Sequence, residues 1–298
     1  MPRTRSVGLL GTGFMGHGMG ARLLGAGFRL RVAAHRRREN VEALVALGAV
    51  EVDGPEAVVA GTDTVVCCLP TAEAVERTVD AVLPHMAPGT LLIDCSTTAP
   101  STARRIAARL EAAGMGYAEA PLTGGARQAA EGTCGALAGG SDAAVARARP
   151  VLEAFCASIE HFGGPGAGQA AKLLNNYMVI GIIALVTETF DKARAAGVDW
   201  EKLFAVARRG SGDNGVMHRI FPKGFEGDFS GYLFAVAAAR KDMAYFADWA
   251  EEVGGASALA REVLKTFEAH EAAGRGGLRV SELLAPEHSG SGSGAGTV

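Results

Sequence analysis

Lys172, Asn175 and Asn176 stand at i, i+3 and i+4 in a run from Gln169 to Ala196 that contains no proline. On a helix this spacing projects all three from one face within a single turn. Leu173, Leu174, Met178, Ile180, Ile182 and Ile183 surround them, so they form a polar island on an apolar helix. A lysine facing a dry cleft has its pKa lowered from about 10.4 toward the range useful for proton transfer. Without such a cleft, the same residues are a snorkelling lysine and two surface amides.

A second constellation is Gly11-Thr12-Gly13-Phe14-Met15-Gly16, which follows the strand-like Val7-Gly8-Leu9-Leu10 and opens a helical pattern. In that context Gly11 permits a tight turn, Gly13 lets backbone approach a pyrophosphate, and Gly16 allows close helix-strand packing; the helix N-terminus supplies oriented amides. The strand, the helix and the βαβ spacing favour dinucleotide binding over a chance turn, even in a chain with 41 glycines. The next strand ends Leu30-Arg31-Val32-Ala33-Ala34, and no acid to hold a ribose 2′-hydroxyl comes before Glu39. Instead His35-Arg36-Arg37-Arg38 follows, a cationic run that suits a 2′-phosphate and so NADP(H) over NAD(H), with a solvated basic face as the alternative.

These groups need a scaffold, and the sequence supplies the pattern of one. Apolar runs of strand length (Val7–Leu10, Leu30–Ala34, Thr64–Leu69, Leu91–Asp94) alternate with helical patterns (Met15–Leu24, Val41–Leu47, Ala72–Val82, Thr102–Ala113) up to about Gly140. The alternation predicts βαβ units, and the near-continuous apolar strands predict a sheet covered on both faces: an α/β, Rossmann-like doubly wound parallel sheet. After the break at Gly163-Gly164-Pro165-Gly166-Ala167-Gly168, helical patterns continue to Leu284. The expected organisation is a dinucleotide-binding domain over 1–165 and an all-α domain over 166–287, entered through one helix of about 40 Å. Residues 288–298 form a Gly/Ser tail with nothing to bury.

Composition narrows the function classes. The 298 residues are 48% hydrophobic and 20% charged, enough for a large core, and the net charge of -3 offers no positive field for nucleic acid or anionic membrane. Cys67, Cys68, Cys95, Cys134 and Cys156 form no metal-ligand spacing and sit mostly in apolar segments, which points to a reducing cytoplasm and to no metal. The N-terminal residues lack the apolar core of a signal peptide. The apolar stretch Tyr177–Val186 is shorter than a spanning helix needs and reads as a buried helix, and Leu173–Val186 is apolar enough to pack a homodimer or homotetramer.

Four motifs, in order, are similar to those of the β-hydroxyacid dehydrogenase family: Gly11 to Gly16; Asp94-Cys95-Ser96-Thr97; Glu119-Ala120-Pro121-Leu122-Thr123-Gly124-Gly125; and Gly166 to Asn176. Phe234, seven residues before Lys241-Asp242, resembles the family segment that closes the cleft from the C-terminal domain. The resemblance implies Lys172 as general acid/base, Asn176 positioning the substrate, and the Thr123-Gly124-Gly125 turn holding its carboxylate through converging N–H groups and the Thr123 hydroxyl. It also implies Leu69-Pro70 and Ser96-Thr97 at strand ends beside the cofactor, with Ser96 reaching substrate, and Lys241 near the nicotinamide. Glu119 and Thr123 replace the family's usual Asp and Ser, changes that would reshape the acid pocket by a methyl group. Decarboxylating 6-phosphogluconate relatives carry a histidine and a glutamate three and seven residues after the lysine, where this chain has Asn175 and Val179.

The expected activity is therefore NAD(P)-dependent interconversion of a small 3-hydroxy acid, or a related short hydroxy acid, with its semialdehyde or ketone. An imine reductase of the same architecture is the rival enzyme, although such enzymes commonly replace the lysine. A non-catalytic dinucleotide-binding interaction protein is the rival from another class, and the retained Lys172 argues against it.

Overall fold

The computed structural model describes residues 6–34 and 38–288. The chain divides into two compact units, one up to Lys172 and one from Leu173.

In the first unit the elements run β1 (Ser6–Leu10), α1 (Phe14–Gly25), β2 (Arg29–Val32), α2 (Arg38–Ala46), β3 (Val50–Glu51), α3 (Gly54–Val59), β4 (Thr64–Cys67), α4 (Ala72–Val82), β5 (Leu91–Asp94), α5 (Pro100–Ala112), β6 (Gly116–Glu119), β7 (Leu122–Thr123), α6 (Ala126–Glu131), β8 (Cys134–Gly140), α7 (Asp142–Leu152) and β9 (Cys156–His161). The strand order is β3-β2-β1-β4-β5-β6-β8-β7, with β9 beside β8. The first six neighbours are parallel, in the doubly wound order that places ligands at the carboxyl ends of the strands.

Alternate residues of one strand sort onto opposite sides of this sheet, as the two-residue period of a strand requires. Val66, Leu91 and Ile93 join the core on one face; Val65, Cys67 and Leu92 join the core on the other. Every residue of β4 and β5 is buried, which is why those strands read as unbroken apolar runs.

The doubly wound parallel sheet is as expected through β6, and beyond it the sheet becomes mixed. Strand β8 runs antiparallel to both β6 and β7, and only β9 returns to the parallel sense beside it. The connecting helix α6 does not cross over the sheet; it lies so tightly on α1 that a Cβ on Gly18 would come within 2.7 Å of the Ala130 nitrogen. The chain accordingly doubles back beside β7 as β8.

The second unit begins inside α8 (Ala167–Ala195) and continues through α9 (Trp200–Ala207), α10 (Gly215–Gly224), α11 (Val236–Gly254) and α12 (Ala258–His270). By length and composition α8 could cross a membrane. Its buried side chains instead enter a protein core, where Leu173, Ile180, Ile183 and Phe190 pack with Phe221, Phe246 and Phe267. Leu174, Met178 and Leu185, spaced four and seven residues apart along α8, are 51%, 62% and 66% exposed.

Candidate active site

Two glycines of the turn after β1, Gly11 and Gly16, could not carry a side chain without a collision. Gly11 has φ +97, and a Cβ there would lie 2.3 Å from the Cys68 carbonyl; one on Gly16 would lie 1.9 Å from the Gly11 carbonyl. A Cβ on Gly13 would meet nothing within 4 Å. Gly13 caps α1 with no side-chain hydrogen bond, and the first turn of α1 carries no acid. The open approach and the uncapped, uncompensated N-terminus fit the pyrophosphate of a dinucleotide. The Asn40 amide donates to the Thr12 carbonyl at 2.7 Å and ties the turn to α2. Phe14 is largely exposed, and Met15 packs on the core beneath.

His35 and Arg36 lie outside the described residues. Their neighbour Arg38 pairs with Glu42 and Glu51 at 3.1 and 3.0 Å, so its guanidinium is already engaged.

At the carboxyl ends of β4, β5 and β6 the expected residues meet, with roles that the motifs alone did not reveal. Ser96 is 2% exposed, and its hydroxyl accepts the Leu69 N–H at 2.9 Å. Its own N–H donates to Asp94 Oδ1 at 2.9 Å. Ser96, expected to reach substrate, here joins the ends of β4 and β5. Pro70 is exposed beside Leu69, and Thr97 is half-buried.

Glu119 differs from its expected place by an acid pocket: it is fully buried and serves the first turn of α8. Its Oε2 accepts from the Gly166 N–H at 2.9 Å and its Oε1 from the Gln169 N–H at 3.1 Å. Burial pushes the Glu119 carboxyl up to about 7, with the backbone donors opposing that shift. Burial lifts Asp94 to about 6 against its bonds to Ser96. Sequence reasoning also missed Gln169. Its side chain donates to the Ser96 carbonyl at 2.9 Å and accepts the Thr98 N–H at 3.0 Å.

One turn further along α8, Lys172 is 9% exposed. Its charge lowers the pKa of Cys134 against the larger effect of burial, which leaves that thiol at about 11. The Cys134 sulfur in turn lies 3.7 Å from where a Cβ on Gly124 would stand. Gly124 of the Thr123-Gly124-Gly125 turn thus adjoins the thiol on which the Lys172 charge acts. Gly124 has φ +93, and a Cβ there would press to 2.9 Å on Gln128 Cβ. The Gly125 N–H donates to Gln128 Oε1 at 3.0 Å, and the Thr123 hydroxyl approaches the Gly135 carbonyl at 3.4 Å.

The second unit carries its own polar cluster. Asn176 is 8% exposed and donates through Nδ2 to Asp242 Oδ2 at 2.6 Å. Lys241 Nζ pairs with Asp242 Oδ1 at 2.8 Å and lies 4.9 Å from the Tyr245 ring centroid. The expected pair Asn176 and Lys241 therefore shares a buried carboxylate, Asp242, whose place beside Lys241 in the sequence carried no hint of Asn176. Phe234 is half-buried, its carbonyl accepting from the Val280 N–H at 2.8 Å. Among the described residues no group of three His, Cys, Asp or Glu could hold a metal ion.

The raised Glu119 carboxyl sets a pH dependence with a definite sign. Between the ordinary value of 4.5 and about 7 the folded form retains a proton that the unfolded chain has released, so this group's contribution to stability falls as pH rises through that window and is constant above it. Thermal melts of the wild type and Glu119→Gln at pH 5 and pH 8 should show the wild type losing ground to the variant as pH rises. A difference in Tm that is flat with pH would refute the raised carboxyl.

Comparison with known proteins agrees with this architecture. The family model described as the NAD binding domain of 6-phosphogluconate dehydrogenase matches residues 6–164. The one described as NAD-binding of NADP-dependent 3-hydroxyisobutyrate dehydrogenase matches residues 166–286. The chain is 37% identical over 213 residues to an NAD-dependent L-serine dehydrogenase of Pseudomonas aeruginosa, covering 70% of this chain and 71% of that protein. The structure of Mycobacterium tuberculosis 3-hydroxyisobutyrate dehydrogenase with L-serine superposes with a TM-score of 0.85 at 32% identity, over 94% of this chain and 98% of that one. An imine reductase from Pseudomonas sp., at 20% identity and a TM-score of 0.63 over 94% and 98% of the two chains, shares the fold alone. With the glycine turn, the strand-end motifs and the lysine helix in these places, the chain belongs to the β-hydroxyacid dehydrogenase family.

Proposed function

We propose that this protein is an NADP(H)-preferring dehydrogenase that interconverts a short 3-hydroxy acid and its semialdehyde or ketone, with Lys172 as general acid/base. The observation that carries the reading is the placement of Lys172. It is buried at the start of α8, and its charge is felt at Cys134, the thiol beside Gly124 of the Thr123-Gly124-Gly125 turn. The relatives named for L-serine and 3-hydroxyisobutyrate support the substrate class, since both names denote carboxylates with a hydroxyl on the β-carbon.

In this reading the substrate carboxylate sits on the N–H groups of the 123–125 turn, exchanging with the Gln128 oxygen that now accepts from Gly125. Lys172 Nζ takes the hydroxyl proton in the oxidative direction and returns it to the carbonyl oxygen in the reductive one. Asn176, its amide fixed by Asp242, orients the reacting oxygen. The dinucleotide, when bound, supplies the hydride acceptor or donor; the turn at Gly11 and Gly13 would hold its pyrophosphate, with Gly16 letting α1 pack close and Leu69, Pro70 and Thr97 beside the cofactor. The family resemblance assigns Phe234 and Lys241 to the nicotinamide as well. The NADP preference rests on Arg36, since Ala34 offers no carboxylate to a ribose hydroxyl and Arg38 is paired with glutamates. Assembly into a homodimer or homotetramer would cover the apolar stripe of Leu174, Met178 and Leu185.

Three measurements test this reading. Lys172→Ala should lower kcat by about a hundredfold to ten-thousandfold with cofactor affinity nearly unchanged, and Lys172→Arg should not restore oxidation because a guanidinium stays protonated. Retention of more than about a tenth of kcat, with chemistry rate-limiting, would remove Lys172 from the mechanism. Steady-state kinetics should give a higher kcat/KM with NADP(H) than with NAD(H), and Arg36→Glu should abolish or reverse the gap; equal values in the wild type would place the arginines in solvent. Light scattering should find an oligomer that Met178→Glu with Leu185→Glu dissociates, whereas a monomeric wild type would end the assembly proposal.

A further inference from the structure

The hydrogen bonds at the start of α8 do more than terminate a helix. Gln169 is fully buried, and its side-chain amide bridges the chain just after β5 in the manner of a peptide group, donating to the Ser96 carbonyl and accepting from the Thr98 N–H at 2.9 and 3.0 Å. Its main-chain N–H is held by Glu119 Oε1 at the end of β6. Glu119 Oε2 holds the Gly166 N–H at 2.9 Å, one turn before Gln169. Gly168 adds a steric stop, because a Cβ there would lie 2.3 Å from the Leu137 carbonyl on β8. Ser96, at one end of the bridge, is itself tied to Asp94 and Leu69.

Hydrogen bonds from two strand ends and a backbone contact with a third fix a helix against both rotation about its axis and sliding along it. Lys172 follows Gln169 by three residues, a rise of about 4.5 Å along the same side of the helix. We propose that Gln169 is a positioning residue: by bridging Ser96 and Thr98 while Glu119 holds its own backbone, it sets where the Lys172 amine stands relative to the carboxyl ends of β5 and β6. This rests on the reading of Lys172 as the proton-transfer group.

Gln169→Met keeps the length and volume of the side chain and removes both hydrogen bonds of the bridge, so it separates bonding from packing. The expected result is a loss of kcat of about tenfold to a hundredfold, within the scale of a misplaced catalytic group, with KM for cofactor and substrate changed by less than about threefold. Gln169→Glu, which keeps an acceptor for the Thr98 N–H and sets an oxygen against the Ser96 carbonyl, is the second variant and should lose kcat in the same way.

An activity-independent readout accompanies both. Competitive acetylation of the intact protein with acetic anhydride across pH, read peptide by peptide by mass spectrometry, should show the Lys172 profile displaced in the variants while that of Lys265, an exposed lysine on α12, is unchanged. A Lys172 profile identical to wild type in a folded variant, or a fall in kcat no larger than about threefold, would overturn the positioning role. Absence of hydroxy acid turnover in the wild type would instead defeat the functional reading, and the acetylation profile would still decide for or against the bridge.

Discussion

Strands β4, β5 and β6 end among buried residues; Cys68, Cys95 and Ala120 still donate to neighbouring strands, and beyond them the ladder stops. Side chains supply partners there, since an unpaired buried amide costs as much as a lost hydrogen bond. Ser96 serves β4, Asp94 serves the turn after β5, and Gln169 serves both sides of that turn. Glu119 closes β6 onto α8. The result is one bonded block at the edge of the sheet where a doubly wound fold presents its ligands. The helix that bears Lys172 grows out of that block, so the chemistry of the site inherits the rigidity of strand ends that have been satisfied by side chains.

The electrostatics follow from the same constraint. Two carboxyls lie fully buried within this block, and burial raises both of them. Glu119 is opposed by backbone N–H groups, which favour the charged form, while Asp94 has one oxygen, Oδ2, without a hydrogen-bond partner. The fold thus accepts an electrostatic cost at the strand ends, and the hydrogen-bonded order obtained there is what holds α8 in register.

What could be read beforehand was local, and what could not was distant. The turn of Gly11 to Gly16, the fully buried strands β4 and β5, and the one-turn spacing of Lys172 with Asn176 each express a period of two or 3.6 within a few residues. Strands β3 and β7 are two residues each, too short to carry a period. Strand β8 reads Cys134-Gly135-Ala136-Leu137-Ala138-Gly139-Gly140, glycine-rich enough to resemble a loop, and its antiparallel sense depends on how α6 packs on α1. The bonds of Glu119 to Gln169 and of Gln169 to Thr98 join residues 50 and 71 positions apart, and no periodicity encodes such a pairing. Asp242 was visible only as the neighbour of Lys241; its bond to Asn176 spans 66 positions.

In the sequence the cysteines point to reducing surroundings. In the folded chain Cys134 and Cys156 are buried cross-strand neighbours on β8 and β9, with burial holding their thiols at about 11 and 12. At neutral pH only about one molecule in ten thousand or fewer would carry the thiolate that disulfide exchange and alkylation require. Burial in the sheet thus makes these two thiols poor nucleophiles at neutral pH, a chemical quiet that comes from the fold itself.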